Sequence, residues 1–220
     1  MCGRFTLRTS PAAMIDLFEG ISFDDITPRY NIAPTQTVAA VRDNKDSKRE
    51  LAFLRWGLIP SWAKDKKIGN RMINARGETV AEKPSFRAAF KRRRCLILAD
   101  GFYEWKKTTD GKVPHYVTMK NDRPFCFAGL WEYWNKADEP IESCTVITTS
   151  ANELMEPIHD RMPVILSEDN FDMWLDPGFE GQDQLQSLIA AYPAEQMQAV
   201  PVSTHVNKPV NDDATCILPV

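Results

Sequence analysis

Hydrophobic and polar positions alternate in short runs through the middle of the chain, and this pattern predicts strands rather than long helices. The runs lie at 38–41, 51–56, 95–99, 115–119, 125–130 and 144–148. Between Trp105 and His115, the pair Asp110-Gly111 predicts a hairpin with a two-residue turn. Most of the predicted strands are therefore expected to pair with their neighbours in antiparallel fashion.

Helix signals are scattered around these strands. Ser10 and Pro11 predict a helix start, because serine caps helices, proline fits the first turn, and the apolar positions of AAMIDLF follow. Further helices are predicted at 150–155, where Ser150 and Glu153 form a capping box, and at 167–175 and 182–191. Strands and helices do not alternate regularly, so we expect an α+β fold. The prediction is a single domain over residues 1–220, with a mostly antiparallel, barrel-like β core flanked by short helices.

Composition narrows the class of protein. Hydrophobic residues make up 43% of the 220 residues and charged residues 26%, which is typical of a globular domain. No apolar run reaches the ~20 residues of a membrane span, and the first residues lack the apolar core of a signal peptide. A cytoplasmic location and no membrane contact are expected. The five cysteines form no C-x-x-C pair, so neither disulfides, a metal site nor a cofactor is expected. Three of them lie in apolar runs and are interpreted as buried: Cys95, Cys126 and Cys144.

The net charge of −3 argues against nucleic-acid binding until its distribution is considered. Residues 64–94 hold eleven basic and three acidic side chains, a surplus of eight positive charges, and the other 189 residues carry −11. Such a zone suits phosphate binding, and Trp56 and Trp62 next to it favour nucleic acid. For the KRRR run at 91–94 alone, a solvated helix end that meets the helix dipole is an equally good interpretation.

Cys2 follows the initiator methionine, and a small second residue favours removal of Met1. The α-amine of a terminal cysteine has a pKa of about 7.7–8.0, so it can attack an aldehyde and form a Schiff base. The thiol can then close a five-membered thiazolidine in an intramolecular step. While Met1 is present, the Cys2 nitrogen is an amide and cannot react in this way. A hydrolase nucleophile, or a cysteine without a role, are the alternatives. Arg4 is expected to lower the thiol pKa and to hold a phosphate.

Three further segments combine polar groups with predicted strands or loops: Asn74 in INARGET, Glu104 in DGFYEW and His159 in PIHDRMP. An amide can position a substrate, a carboxylate among aromatic residues suits proton transfer, and a histidine can do either. Each also has a structural interpretation: a turn cap, a surface ion pair with a nearby lysine, and a satisfied histidine. The two other histidines, His115 and His205, are interpreted as structural.

Six motifs occur in order along the chain: MCGRF, RYNIAP, WGLIPSW, INARGET, DGFYEW and IHDRMPV. Together they resemble the SRAP family, the SOS response-associated peptidases or abasic-site processing proteins, over essentially the whole chain. The resemblance implies a single α+β domain that senses an abasic site in single-stranded DNA during the DNA damage (SOS) response. It implies a covalent thiazolidine DNA–protein crosslink through Cys2 after autoproteolytic removal of Met1. A weak lyase activity at the abasic site is left open.

The resemblance also implies roles for individual residues. Cys2 crosslinks, Asn74 positions the amine and the sugar, Glu104 shuttles protons, and His159 assists at the sugar hydroxyl. The implied DNA contacts are Arg4, Arg76, Thr148, Pro34, Trp62 and Trp105. The implied partner is single-stranded DNA that contains an abasic site, with no cofactor and no obligatory protein partner, so a monomer is expected. Two alternatives stay open: a cysteine peptidase with Cys2 as nucleophile, mainly self-processing, and a non-catalytic single-strand binder.

Overall fold

The computed structural model describes residues 2–44 and 48–220. Within these ranges most of the regular structure is β-strand. The strands are β1 Phe5–Leu7, β2 Arg29–Ile32, β3 Thr37–Asp43, β4 Arg49–Trp56, β5 Asn74–Arg76, β6 Arg94–Ala99, β7 Gly101–Thr108, β8 Gly111–Met119, β9 Phe125–Trp134, β10 Ile141–Ser150, β11 Arg161–Pro163, β12 Ile165–Leu166 and β13 Met197–Pro201. The α-helices are α1 Pro11–Ile15, α2 Arg87–Arg92, α3 Phe171–Leu175 and α4 Gln182–Ser187. No helix among the described residues is long and apolar enough to cross a membrane.

Five strands close into a barrel in the order β10, β4, β3, β6 and β9, with β9 pairing back onto β10. Four of the five contacts are antiparallel, and the β10–β4 contact is parallel. All six residues of β6 are buried, which explains why this strand reads as a nearly continuous apolar run instead of an alternating one. The barrel interior forms the main hydrophobic core.

A second, antiparallel sheet runs in the order β13, β8, β7, β1 and β2. Phe5 of β1 joins it to the barrel, because its ring meets Trp56 edge-on at 5.1 Å and Phe127 at 5.6 Å between ring centroids. The strand that follows Cys2 is therefore anchored against barrel strands β4 and β9. The expected α+β fold with a mostly antiparallel, barrel-like core and short flanking helices is confirmed.

All six predicted strands are present, and helices begin near residues 11, 168 and 182 as predicted. The helix predicted at 150–155 is wrong. Ser150 is the last residue of β10, where it pairs with Arg161 instead of capping a helix. The following turns are organised by Asn152, whose Oδ1 accepts from the Met155 N–H at 3.0 Å. The capping-box pattern was misleading because pairing to β11 occupies the serine backbone.

The other differences are small. Thr108 pairs with Gly111, so the β7–β8 turn lies one residue earlier than predicted, and Gly111 takes a φ of 130°. The helix predicted at 182–191 ends at Ser187. Ser10 precedes α1, but its side chain makes no capping hydrogen bond.

A close contact between two glycines shapes the segment that leads to β5. Gly57 follows β4 with a φ of 127°, a conformation that favours glycine. A Cβ at Gly69 would lie 2.5 Å from the Gly57 carbonyl oxygen, so only glycine fits this approach. The Leu58 N–H then donates to the Met72 carbonyl at 3.1 Å. The end of β4 thereby holds the segment 66–72 and delivers β5 to the edge of β10.

The basic run at 91–94 divides into two parts. Lys91 and Arg92 end α2 and are exposed, as the helix-end interpretation expects. Arg93 pairs with Glu132 at 2.8 Å. Arg94 is buried and donates to the carbonyls of Phe90, Lys91, Trp174 and Asp176. Half of the run is therefore structural and unavailable to a phosphate.

Candidate active site

Cys2 lies fully buried at the start of the chain, just before β1. The Asn74 side chain, 72 positions away, donates from Nδ2 to the Cys2 carbonyl at 2.7 Å. Asn74 is the first residue of β5 and pairs with Val146 of β10. The preceding carbonyl, that of Ile73, accepts from Trp56 Nε1 at 2.8 Å and from the Val146 N–H at 3.1 Å. The barrel wall thus fixes the amide that holds Cys2.

Glu104 is buried on β7 beside the same terminus. The antiparallel β1–β7 pairing brings it there, because the Tyr103 N–H donates to the Arg4 carbonyl at 2.9 Å. Burial, and secondarily the charge of Glu104, raise the pKa of the Cys2 thiol well above its ordinary value. The net shift of the thiol pKa is opposite to the lowering expected from Arg4: its backbone carbonyl contributes only a smaller lowering, and its guanidinium bonds to Asn31 and Val206. Cys2 rests as a neutral thiol at neutral pH.

The Arg4 guanidinium is half-buried and bonds to neutral oxygens. Its NH1 donates to Asn31 Oδ1 at 2.8 Å and to the Val206 carbonyl at 2.9 Å. The guanidinium carbon lies 5.8 Å from the ring centroid of Trp105, and the Trp105 Nε1 donates to Asn207 Oδ1 at 2.8 Å. Desolvation lowers the pKa of Arg4, but a guanidinium stays charged at neutral pH. The group is therefore a cation without a carboxylate among these partners.

His159 lies in the loop between β10 and β11. Its Nδ1 is 3.0 Å from the Arg161 N–H and 2.8 Å from Asp160 Oδ1. These two contacts hold the ring at the end of the loop.

Arg161 connects this loop to β5 and β10. It forms a bidentate pair with Glu78 at 2.6 and 3.0 Å, which lowers the pKa of that carboxyl, and donates to the Thr148 carbonyl at 2.7 Å. The Thr148 side chain is fully buried, and its hydroxyl bonds to Ala75 and Arg161. In this conformation the hydroxyl of Thr148 lies inside the protein, so a DNA contact through it stays a prediction.

The remaining predicted DNA contacts, apart from Arg4 and Trp105 described above, are at least partly exposed. Arg76 is exposed at the end of β5, two residues beyond Asn74. Pro34 is partly exposed. Trp62 is 53% exposed, and its described hydrogen bonds run to Pro84 and Lys136 rather than to the neighbours of Cys2.

Residues 1–209 match the family described as SOS response associated peptidase (SRAP). The chain belongs to this family. The abasic site processing protein YoqW of Bacillus subtilis (strain 168) is 48% identical over 222 residues, which cover 99% of both chains. The abasic site processing protein HMCES of Gallus gallus is 32% identical over 225 residues, which cover 88% of this chain and 66% of that protein.

Solved structures agree with this fold. An X-ray structure of a protein from Bacteroides thetaiotaomicron matches with a TM-score of 0.89 at 26% identity, and the match covers 100% of both chains. An X-ray structure of a protein from Bordetella bronchiseptica matches with a TM-score of 0.78 at 28% identity, covering 92% of this chain and 100% of that one. The resemblance to the SRAP family is confirmed.

Sequence reasoning missed two residues that hold side chains of the candidate site: Asn31 contacts Arg4, and Arg161 contacts Thr148. Asn31 is fully buried, and its Nδ2 donates to the carbonyls of Val206, Lys208 and Asn211. The sequence signal that could have indicated Asn31 is a polar residue directly before an apolar pair, as in RYNIAP. Arg161 stood next to His159 in the motif, but its cross-strand contacts cannot be inferred from the sequence.

One group of side chains could hold a metal: His205, Asp213 and Cys216 place potential ligand atoms within 4.8 Å of one another. The Asn211 amide nitrogen lies 3.2 Å from His205 Nδ1, so Nδ1 accepts and Nε2 keeps its proton. Nε2 lies 3.1 Å from Asp213 Oδ2. Hydrogen bonds therefore satisfy this group without an ion.

Proposed function

We propose that this chain senses abasic sites in single-stranded DNA and captures them as a covalent thiazolidine on Cys2 once Met1 has been removed. The observation that carries the proposal is the buried Cys2 held by Asn74, with the Glu104 carboxylate beside its thiol. Relatives of nearly the same length bear the name abasic site processing protein. The sugar of an abasic site opens to an aldehyde, which is the electrophile that this pair of nucleophiles suits.

The chemistry balances in three steps. Hydrolysis of the Met1–Cys2 bond consumes one water and frees the α-amine. The amine adds to the aldehyde carbon, and the carbinolamine loses one water to give the imine. The Cys2 sulfur then adds to the imine carbon, and the thiol proton ends on the nitrogen. The DNA is joined with loss of one water, through one C–N and one C–S bond.

Glu104 has a defined part in this sequence. Because burial keeps Cys2 as a neutral thiol, sulfur attack requires a nearby group that accepts the S–H proton. The Glu104 carboxylate is next to the thiol and can pass that proton to the nitrogen. In the preceding step the same carboxylate can take the proton that the adding amine releases and return it to the hydroxyl that leaves as water.

The flanking residues account for DNA affinity without base recognition. Arg4 and Arg76 are cations for the phosphates on either side of the lesion, and Trp105 offers a ring for stacking. His159 assists at the sugar hydroxyl. In this function the protein acts as a cytoplasmic monomer in the response to DNA damage.

The peptidase alternative is limited by the same burial. A thiol whose pKa is raised carries little thiolate at neutral pH, so it is a weak nucleophile toward peptides supplied in solution. Peptide cleavage in this proposal is confined to the removal of Met1. If the purified chain degrades an unrelated protein such as casein, the broader peptidase function replaces it.

The test uses the Met-free full chain, verified by intact mass, and an oligonucleotide with one abasic site. The expected product is a band stable in a denaturing gel, with the mass of protein plus DNA less one water. Cys2→Ser keeps the amine but not the sulfur, so its adduct is expected only after borohydride reduction. Cys126→Ser, a buried cysteine elsewhere, is the matched control and keeps the stable band. A stable band of equal yield with Cys2→Ser contradicts the proposal.

A further inference from the structure

The Arg4 guanidinium differs from most hydrogen-bonded arginines of this protein because its partners are uncharged oxygens. Arg42, Arg93 and Arg161 all pair with carboxylates, which neutralise their charge. The described hydrogen bonds of Arg4 go to an amide oxygen and a backbone carbonyl, and both start from NH1. Its positive charge is held in place without being cancelled, and its Nε and NH2 edge does not take part in these bonds.

Asn31 determines the direction in which Arg4 is held. The Nδ2 of Asn31 is surrounded by three carbonyl oxygens, at 3.1 Å from Val206, 3.1 Å from Lys208 and 2.6 Å from Asn211. An amide flip would turn Oδ1 toward three acceptors, which is strongly unfavourable. Oδ1 must therefore face the opposite way, toward Arg4 NH1.

The segment 206–212 completes this arrangement and is held against β2 from its other end. The Oδ1 of Asp212 accepts from the N–H groups of Tyr30 at 2.6 Å and Asn31 at 2.8 Å, and its Oδ2 pairs with Arg29. The same segment supplies the Val206 carbonyl to Arg4 and the Asn207 side chain to Trp105. One loop near the end of the chain thus holds both the cation and the ring beside the first residues.

We propose that Asn31 is a positioning residue that aims Arg4 at a backbone phosphate, and that the segment 206–212 forms one wall of the DNA-binding site. The inference rests on the proposed function for the identity of the ligand. Asn31 itself is fully buried and touches no DNA. It acts through Arg4, whose unneutralised edge receives the phosphate while the Trp105 ring holds the plane of the guanidinium.

The first test measures equilibrium binding of an undamaged single-stranded oligonucleotide at several salt concentrations, so no crosslink is involved. Asn31→Ala is expected to weaken binding by about tenfold. It should also reduce the slope of log affinity against log salt by ~0.7, the value for one lost phosphate contact on a single strand. Asn170→Ala is the control, because Asn170 also donates from its amide Nδ2, to Ser167 Oγ at 2.8 Å, but lies between β12 and α3. Its loss should lower stability and leave the salt slope unchanged.

A double-mutant cycle separates positioning from a merely structural role. If Asn31 acts through Arg4, then Arg4→Ala combined with Asn31→Ala binds no more weakly than Arg4→Ala alone. Additive losses, or an Asn31→Ala protein with the wild-type salt slope, overturn the inference.

Should Asn31→Ala fail to fold, the exposed Asn207 provides the second variant. Asn207→Ala removes the acceptor of Trp105 Nε1 and is expected to weaken binding severalfold; wild-type affinity would refute the role of the segment 206–212. The two proposals fail in different ways. If the wild-type chain crosslinks but the effects of Arg4→Ala and Asn31→Ala are additive, only this inference is refuted. If the two effects are not additive but the chain never crosslinks, only the proposed function is refuted.

Discussion

The two polar atoms of the Asn74 side chain have different environments. Its Nδ2 bonds to the Cys2 carbonyl, and its Oδ1 is buried with no hydrogen-bond partner among the described residues. A buried acceptor of this kind is costly unless another molecule satisfies it. In the proposed reaction, that oxygen can accept from the freed α-amine or from a sugar hydroxyl.

Replacing Asn74 should therefore impair the reaction more than the fold. Asn74→Ala removes a buried hydrogen bond that contributes about 1–3 kcal/mol, so the crosslinking rate is expected to fall roughly 5- to 150-fold. The rate is measured by quenched denaturing gels with Met-free protein in excess over abasic DNA. Asn170→Ala, which loses a hydrogen bond from Nδ2 to Ser167 Oγ between β12 and α3, should crosslink at the wild-type rate. An unchanged rate for Asn74→Ala would refute its role in holding the terminus.

At the scale of elements, the position of the site depends on the contacts between the end of β4 and the segment 66–72, which leads into β5. Gly57 and Gly69 approach so closely that neither tolerates a side chain, and the segment 66–72, which contains Gly69, ends two residues before Asn74. The position of the Asn74 amide is therefore set by backbone packing more than by residues inside the site.

Gly69→Ala tests this dependence. Its Cβ would lie 2.5 Å from a backbone oxygen, so we expect a loss of about 1–3 kcal/mol in unfolding free energy and slower crosslinking. Urea denaturation gives the first quantity and the gel assay the second. Gly178→Ala is the control, because its nearest neighbour is a flexible Asp176 side-chain oxygen at 3.2 Å. Equal stability of the two variants would contradict the packing argument.

The end of α2 provides a second prediction at this scale. Arg94→Met removes the donor of two buried and two partly buried hydrogen bonds to carbonyl oxygens, so unfolding free energy should fall by about 3–5 kcal/mol. Lys91→Met, on an exposed position three residues earlier, should change it by less than about 0.5 kcal/mol. Thermal and urea denaturation compare the two. A destabilised Lys91→Met, or a stable Arg94→Met, would show that the run is not divided as described.

Across the whole molecule, the cysteines share one environment. All five are free and buried, and burial raises the pKa of each thiol above its ordinary value of 9.0. Below pH 9 the thiols are protonated in both the folded and the unfolded chain, so their ionisation does not reduce the free energy of unfolding. Above it the unfolded chain loses protons that the folded chain retains, and stability declines.

The protein is therefore expected to lose stability as the pH rises above 9. Each thiol contributes a loss of up to about 1.4 kcal/mol per pH unit, measured by urea denaturation in steps between roughly pH 8 and 10.5. Cys126→Ala, although less stable at neutral pH, should show a shallower decline because one titrating group is gone. A stability that stays level across this range would contradict the prediction.

The sequence predicted the strands well because strand formation depends on local information. Alternation over five or six residues indicates a strand. The reactivity of Cys2 stays a prediction. The capping box at Ser150 failed for the opposite reason, since pairing with Arg161 in β11 outweighed a local signal. The sequence shows the surplus of positive charge at 64–94. It does not show that Arg94 is buried and bonded to carbonyl oxygens.

What the sequence by itself determined is the family and the β-rich architecture; the residues proposed to carry the chemistry stay predictions. Only the tertiary structure decided that the Cys2 thiol is neutral, that the Thr148 hydroxyl lies inside, and that Asn31 directs Arg4. These properties depend on burial and on partners as far as 202 positions away, such as the carbonyl that Arg4 shares with Asn31. Solvent exposure and long-range hydrogen bonds arise only when the chain has folded.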